Sequence, residues 1–218
     1  MGVTVLMSLA FGELLRWRME REVSASLHAM ASNAARQLSD GLFSRAHTVE
    51  VLAASPELWI QGLEAPGVGA LLNRARSLTP TSLWIGVADA EGTVRSATDQ
   101  VLVGLDVSDR PWFEPGLQRV HVGDVRASSP VMSALLPPAA DGAPRRFMDF
   151  AAPIRVGDLT QGVLCMHSSW EWVRETMQTL QQADSADRQI GLFIFDRRGR
   201  LIHAPGDSLE PLLALDQR

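Results

Sequence analysis

The chain has 218 residues, of which 46% are hydrophobic and 21% charged, and its formal net charge is −5. This composition is enough for the core of one large domain or two small ones. The acidic balance and the lack of a basic stripe argue against a nucleic-acid partner. A single cysteine, Cys165, excludes a disulfide framework and a thiolate metal cluster.

The first 22 residues, MGVTVLMSLAFGELLRWRMERE, combine an apolar run with a basic end. The run is shorter than the roughly 20 residues that span a bilayer, and Glu13 interrupts it. It also lacks the basic start and cleavage site of a signal peptide. Two interpretations remain open: the outer end of a transmembrane helix with Trp17 at the interface, or the first turns of an amphipathic helix. The first is favoured and predicts a partial membrane anchor over residues 1–17.

Apolar side chains recur every three or four residues after this segment, which predicts one long helix over residues 12–55, with a break at Asp40-Gly41 as a variant. The pattern indicates a stalk, a dimer seam or a helix that covers a sheet, and packing on a sheet is at least as favoured as dimerisation. Ser55 and Pro56 then predict the start of a second, short helix. The apolar stripe comprises Leu15, Met19, Val23, Leu27, Met30, Ala34, Leu38 and Leu42.

Period-two patterns follow, and they predict hairpins at 82–98, 147–170 and 189–205 and a strand at 117–128. Residues 128–146 are predicted as a long loop, and residues 169–183 as an amphipathic helix capped by Ser168 or Ser169. Two hairpin turns match, VADAEGTVRSA (87–97) and IFDRRGRLIHA (194–204), since each has an Asp, two residues and a Gly between strands. This weak repeat predicts two related modules, the second of which is cut short. The predicted class is α+β.

The segments GLDVSDRPWF, VGDVRASSPV, FMDFAAPI and GVLCMH resemble, in order and spacing, a double Cache sensor domain. Such domains place two PAS-like units behind one long helix, outside the cytoplasm, in chemoreceptors, sensor histidine kinases and diguanylate cyclases. The resemblance implies a stalk helix over residues 18–60 and a membrane-distal, PAS-like ligand-binding unit over 61–184. Residues 185–218 would be the truncated start of a membrane-proximal PAS-like unit. It also implies an inner-membrane protein whose domain faces the periplasm.

The resemblance further implies a ligand site around DRPWF in the membrane-distal unit. Arg110 and Trp112 match the pattern of members that bind amino acids, whereas Leu105 replaces a tyrosine and His167 stands where those members have an aspartate. The missing aspartate and the added histidine shift the expected ligand from an α-amino acid toward a small organic anion. The candidate ligand-binding residues are Arg110, Trp112, Phe113, Arg126, Ser128, Asp149 and His167.

Structural alternatives exist for each of these residues. Ser108-Asp109-Arg110-Pro111 is also a good helix start, in which case Arg110 pairs with Asp106 or Asp109 and the two aromatics after it are core residues. His167 is then a hydrogen-bonded buried histidine and Arg126 a solvated strand residue. Asp149 faces either the pocket or solvent.

The sequence carries no catalytic motif and no metal-ligand spacing, so neither an enzyme nor a cofactor or metal is predicted. The predicted function is the extracytoplasmic small-ligand sensor of a membrane-bound signalling protein, with a histidine kinase, diguanylate cyclase or chemoreceptor output. Its predicted partners are the small ligand, a second copy bound through the N-terminal helix, and the membrane. The alternative is a truncated, stand-alone binding or dimerisation module without output.

Overall fold

The computed structural model describes residues 2–127, 146–184, 191–196 and 198–204, except for the side chains of residues 2–10 and 182–184. These residues form an α+β fold, as predicted. Two compact units result, Asp40–Glu175 and Met1–Ser39 with Thr176–Arg218. The predicted boundaries after residues 17, 60 and 184 stay predictions. The elements are α1 Gly2–Ala53, α2 Pro56–Trp59, α3 Val68–Leu78, β1 Ser82–Asp89, β2 Val94–Ala97, α4 Phe113–Gln118, β3 His121–Val122, β4 Arg126–Ala127, β5 Arg146–Val156, β6 Leu159–Ser169, α5 Glu171–Asp184, β7 Ile194–Phe195 and β8 Leu201–His203.

Helix α1 runs without interruption through Asp40-Gly41, so the variant with a break there is wrong. Gly41 serves a close contact instead, because a Cβ at this position would lie 2.4 Å from Cζ3 of Trp172. One glycine inside a helix costs only about 1 kcal/mol. Among the described helices, none has both the length and the apolar content that a membrane crossing requires.

The C-terminal part of α1 packs on the sheet. Val49 and Ala53 are fully buried in one cluster with Phe150 and Met166 of the central strands, which confirms the sheet-covering alternative for this part of the helix. The short helix predicted at Ser55-Pro56 is also present as α2. Trp59, its last residue, donates from Nε1 to the Leu52 carbonyl at 3.0 Å, which attaches α2 to α1.

The main sheet is antiparallel, in the order β2-β1-β6-β5-β3, and β4 also pairs with β5. The hairpins predicted at 82–98 and 147–170 are confirmed. The single strand predicted over 117–128 is wrong. Residues 117 and 118 end α4, and β3 and β4 are separate two-residue strands. Between them Gly123 approaches the backbone of β5 and donates its N–H to the Asp149 carbonyl at 2.8 Å.

The central strands are covered on both faces, because nearly every residue of β1, β5 and β6 is buried. Side chains alternate between faces along a strand. Ile85, Phe150 and Leu164 face the cluster that includes α1, α2 and α3. Trp84 and Cys165 belong to a second cluster with the residues around α4. The second cluster therefore lies on the sheet face opposite α1.

The helix start expected at Ser108–Pro111 comes later, at Phe113, with Trp112 as the N-cap residue. The Asp106 carboxylate accepts the backbone N–H of Ser108 at 2.8 Å, which closes a local turn and directs the following residues into further turns. Helix α3 was not predicted. Helix α5 was predicted, and at its start the hydroxyl of Ser169 accepts the backbone N–H of Glu171 at 3.1 Å.

The predicted hairpin at 189–205 is present as β7 and β8, and its turn repeats that of the first hairpin. Oδ1 of Asp89 accepts N–H bonds two and four residues ahead, at 3.2 and 2.8 Å, and Oδ1 of Asp196 does the same at 2.8 and 2.9 Å. Gly92 and Gly199 both have positive φ angles, 97° and 76°. The matched turns are therefore confirmed as a structural repeat.

Candidate ligand-binding site

A row of three side chains crosses the sheet on the face opposite α1. Trp84 of β1 is in register with His167 of β6, and Asp149 of β5 is in register with the same histidine from the other side. Residues paired in this way point to the same face of a sheet. The fold thus brings together residues that are up to 83 positions apart in the chain, as the numbers of Trp84 and His167 show by subtraction.

Asp149 and His167 form a buried polar pair. Asp149 is 2% exposed and His167 is 5% exposed, and Oδ1 of the carboxylate lies 2.6 Å from Nδ1 of the ring. Nδ1 therefore carries the proton of this hydrogen bond, which leaves Nε2 as an acceptor in the neutral ring and as a donor in the imidazolium. The other carboxylate oxygen, Oδ2, accepts from Nη2 of Arg126. Both oxygens of Asp149 are thus engaged.

Arg126 lies at the edge of this pair, on the short strand β4. Its guanidinium carbon is 5.3 Å from the centre of the Phe147 ring, and its side chain is 30% exposed. Nε of Arg126 is buried and has no acceptor among the residues that the structure describes. The guanidinium therefore binds Asp149 through one nitrogen and retains a buried donor.

Aromatic rings surround His167. Trp84 stacks on it with ring centres 4.8 Å apart, Phe147 lies 5.0 Å away, and Trp112 meets it edge-on at 6.2 Å. The indole N–H of Trp84 donates to the Val101 carbonyl at 3.0 Å, which sets the ring orientation. The apolar surroundings strengthen electrostatic interactions inside the cluster.

Gly86 makes the stacked position of Trp84 possible. A Cβ at Gly86 would lie 2.1 Å from Cζ2 of that indole, so only glycine lets the ring lie flat on the strand. The residue is two positions from Trp84 on the same strand and the same face.

Cys165 completes the described neighbourhood. Its Sγ is 4.0 Å from Nδ1 of His167, and the ligand atoms of Asp149, Cys165 and His167 all lie within 4.8 Å of one another. These are donor types of a zinc site, which needs a thiolate. Burial, with a further contribution from the Asp149 charge, raises the pKa of the Cys165 thiol well above its usual range. Both oxygens of Asp149 are engaged, by Arg126 and by His167, so the trio forms part of a polar cluster.

The predicted site residues are distributed unevenly. Trp112, Arg126, Asp149 and His167 come together in this cluster. Phe113 is buried in the same apolar cluster and meets Trp112 edge-on. The Arg110 side chain is 44% exposed, with Nε 3.4 Å from Oδ1 of Asp109, as the structural alternative expected. Ser128 lies outside the described residues.

Two members of the cluster, Trp84 and Phe147, were missed. Phe147 lies two residues before Asp149 on the same strand and so shares its face. The alternation of side chains along β5 could therefore have placed Phe147 beside Asp149. Trp84 lacked such a signal, because its place beside His167 depends on the pairing of β1 with β6.

No protein-family model matches the sequence, and no curated protein is similar to it in sequence. Solved structures are similar in fold. One is the ligand-binding domain of the amino acid chemoreceptor PctC of Pseudomonas aeruginosa in complex with GABA, with 19% identity and a TM-score of 0.63 over 82% of this chain and 74% of that one. Another is the ligand-binding domain of the Campylobacter jejuni chemoreceptor Tlp3 in complex with 4-methylisoleucine, with 14% identity and a TM-score of 0.59 over 80% and 66%.

The sensor domain of the Vibrio cholerae histidine kinase DctB is a third, with 12% identity and a TM-score of 0.59 over 82% of this chain and 65% of that one. The chain has the fold of a chemoreceptor or histidine kinase sensor domain. The resemblance to double Cache domains is thereby confirmed for the fold. The chain spans about two thirds of the length of the Tlp3 and DctB domains.

Proposed function

We propose that this chain is the small-ligand input domain of a membrane-bound signalling protein and that its ligand is a small organic anion. The observation that carries the proposal is the cluster of Arg126, Asp149 and His167, enclosed by aromatic rings on the sheet face opposite the long helix. Its formal charge is zero with a neutral histidine and +1 with an imidazolium. Because both Asp149 oxygens are engaged and Nε of Arg126 is a donor without a described acceptor, the cluster suits an anion better than a cation.

Two similar structures support small-molecule binding in this fold, since the PctC and Tlp3 domains were solved with GABA and 4-methylisoleucine. The similar structures are sensor domains rather than enzymes. We therefore assign no catalytic step to this chain. An output domain, of the histidine kinase, diguanylate cyclase or chemoreceptor type, would belong to the whole protein, with the sensor on the periplasmic side.

Signalling requires that the ligand bind two arrangements of the protein with different affinity. The contact of α1 with the sheet offers a route between the cluster and the helix. Arg45 of α1 donates from Nε to the hydroxyl of Ser168 at 3.0 Å, and Ser168 directly follows His167 on β6. A displacement of His167 on ligand binding would thus act on a residue that α1 holds.

The proposal is tested by thermal unfolding of the full chain with carboxylates, amino acids, amines and inorganic phosphate, followed by calorimetric titration of those that shift the midpoint. A ligand at about 100 times its dissociation constant should add about 2.7 kcal/mol to the free energy of unfolding. If the protein is folded but none of these compounds shifts its unfolding midpoint or binds to it, the proposal is contradicted.

The location is tested with two histidine variants. His167→Gln should abolish the ligand-induced shift, measured against the variant's own unliganded midpoint. His47→Gln is the matched control, because His47 lies on α1 with 58% of its side chain exposed. A shift that survives His167→Gln places the ligand elsewhere.

A further inference from the structure

We propose that Arg126, rather than Arg110, holds the ligand directly, and that the ligand class is a small carboxylate without an ammonium group. This inference rests on the proposed function and names the chemistry of the same site. Neither the identity of the anchor nor the exclusion of amino acids follows from the fold that the chain shares with PctC and Tlp3.

The first step is the buried donor on Arg126. Nε has no acceptor in the described part of the chain, although buried N–H groups in native proteins are nearly always paired. The guanidinium is held from two sides, by Asp149 at Nη2 and by the Phe147 ring beneath its plane. A carboxylate oxygen at Nε would complete the pairing with a charge-assisted hydrogen bond. The side chain as a whole is 30% exposed, so the guanidinium lies at the boundary between the buried cluster and solvent.

The second step is the state of Asp149. An α-amino acid or an amine needs a carboxylate that can receive its ammonium group, and Asp149 is the acidic residue of the cluster. Its Oδ2 accepts from Arg126 and its Oδ1 faces Nδ1 of His167 at 2.6 Å. An ammonium group would have to compete with a guanidinium already in place, and it would lie beside that like charge in apolar surroundings. The cluster therefore disfavours the binding of an ammonium group.

The third step is the contrast with Arg110. Its side chain is 44% exposed, and its nearest described charged partner is the neighbouring Asp109. Solvent screens a guanidinium at such a position. Arg126 instead combines a buried donor, an ion pair to a buried acid and an aromatic contact. Of the two arginines, Arg126 is thus the preorganised one.

The experiment compares compounds that differ in the ammonium group: L-lactate with L-alanine, L-malate with L-aspartate, and 4-hydroxybutyrate with GABA. Each is titrated calorimetrically into the full chain, and thermal unfolding is recorded in parallel. At least one hydroxy acid should bind more tightly than its amino counterpart by a factor of about ten or more. The reason is that the amino compound would place an additional positive charge beside the Arg126 guanidinium. Equal affinity within every binding pair, or preference for the amino compounds, would overturn the inference while the sensor function stands.

Variants then separate the two arginines. Arg126→Gln should weaken binding of the preferred hydroxy acid by about tenfold or more, and Arg126→Lys, which keeps the charge but loses the fork, by less. Arg126→Gln should also reduce the discrimination against the amino counterpart, because it removes the like charge and releases Oδ2 of Asp149. A purely structural role would weaken both compounds alike.

Arg119→Gln is the matched control, since Arg119 is an exposed arginine at the end of α4. It should change affinity by less than about twofold, as exposed charges contribute little. Binding that survives Arg126→Gln but is lost in Arg110→Gln would assign the anchor to Arg110 and overturn the inference alone. If no compound of any class binds the folded protein, the proposed function itself is contradicted.

Discussion

The thiol of Cys165 should dominate the dependence of stability on alkaline pH. The sequence contains neither lysine nor tyrosine, and arginine stays charged, so Cys165 is the side chain whose ordinary pKa lies in the alkaline range. Burial raises its pKa well above the usual range. The unfolded chain therefore releases this proton at lower pH than the folded protein does. The contribution to stability is fully present below the unfolded pKa and is lost as pH rises toward the folded one.

We accordingly expect the free energy of unfolding in urea to fall above about pH 8.5, by up to about 1.4 kcal/mol per pH unit. Cys165→Ala should be less stable at neutral pH because of the missing side chain, but it should lack this alkaline decline. The N-terminal amine is common to both proteins and cancels in the comparison. Parallel pH profiles for the two proteins would contradict the prediction.

Gly86 is the residue on which the aromatic enclosure of His167 depends. In Gly86→Ala the new methyl group would meet the Trp84 ring at 2.1 Å and force it off the histidine. We expect a loss of about 1–3 kcal/mol in urea unfolding, as is usual when a packed core is overfilled. Gly12→Ala is the control, because a Cβ there meets nothing within 4 Å and the residue lies in α1. It should stabilise by about 0.5–1 kcal/mol. Similar effects of both changes would exclude the steric explanation.

Among the elements, α1 makes polar contacts with the rest of the sheet unit through Arg45, in addition to the apolar packing of Val49 and Ala53. Arg45 donates to Ser168 Oγ at 3.0 Å, to the Gly41 carbonyl at 2.9 Å and to Thr81 Oγ1 at 2.9 Å, and its guanidinium stacks 4.1 Å from the Trp172 ring. Burial lowers the pKa of Arg45, yet the guanidinium stays charged at any physiological pH. The arginine thus ties together parts of the chain that are distant in sequence.

Arg45→Met should therefore cost about 2–4 kcal/mol in urea unfolding, since several charged hydrogen bonds are lost together. The matched change is Arg36→Met, at an exposed position of the same helix, where we expect less than about 0.5 kcal/mol. A loss below about 1 kcal/mol for Arg45→Met would show that the apolar contacts of α1 suffice.

Local chemistry explains which elements the sequence predicted well. The hairpin turns at Asp89 and Asp196 follow from an acid that accepts nearby N–H groups and from a glycine three residues later with positive φ. The single strand predicted at 117–128 was wrong because Gly123 donates its backbone N–H to the carbonyl of Asp149, which is distant in sequence. The period-two pattern of residues 117–128 does not reveal this contact. Helix α3 lacked a start signal, as it follows Gly67 at a φ of 103° without a side-chain cap.

The candidate site shows the same limit. His167, Asp149 and Arg126 were selected for their chemistry, but their mutual contacts depend on the register of three strands. Arg110 was selected through the DRPWF motif, and the structure shows its side chain exposed beside Asp109. Choosing between two arginines required knowing which one the sheet brings to the buried acid.

At the scale of the whole molecule, the apolar stripe of α1 divides into two parts. Towards its C-terminal end Met30 and Ala34 are buried, and Leu42 packs against the cluster on the sheet. In its N-terminal part the side chains of Leu15, Met19, Val23 and Leu27 are 40–65% exposed. An apolar stripe of this length at helical spacing is typical of a helix–helix interface. We therefore expect the full chain to form a dimer through this part of α1.

The dimer is tested by sedimentation equilibrium of the full chain over a range of concentrations. The double variant Met19→Glu with Leu27→Glu should shift the mass toward that of the 23.8 kDa chain, because two charges would be buried in each copy's interface. Ser24→Glu is the control, since it adds a charge at an exposed, polar position of the same helix segment and should leave the mass unchanged. A wild-type mass of one chain at every concentration, or an unchanged dimer in the double variant, would show that this stripe is not the interface.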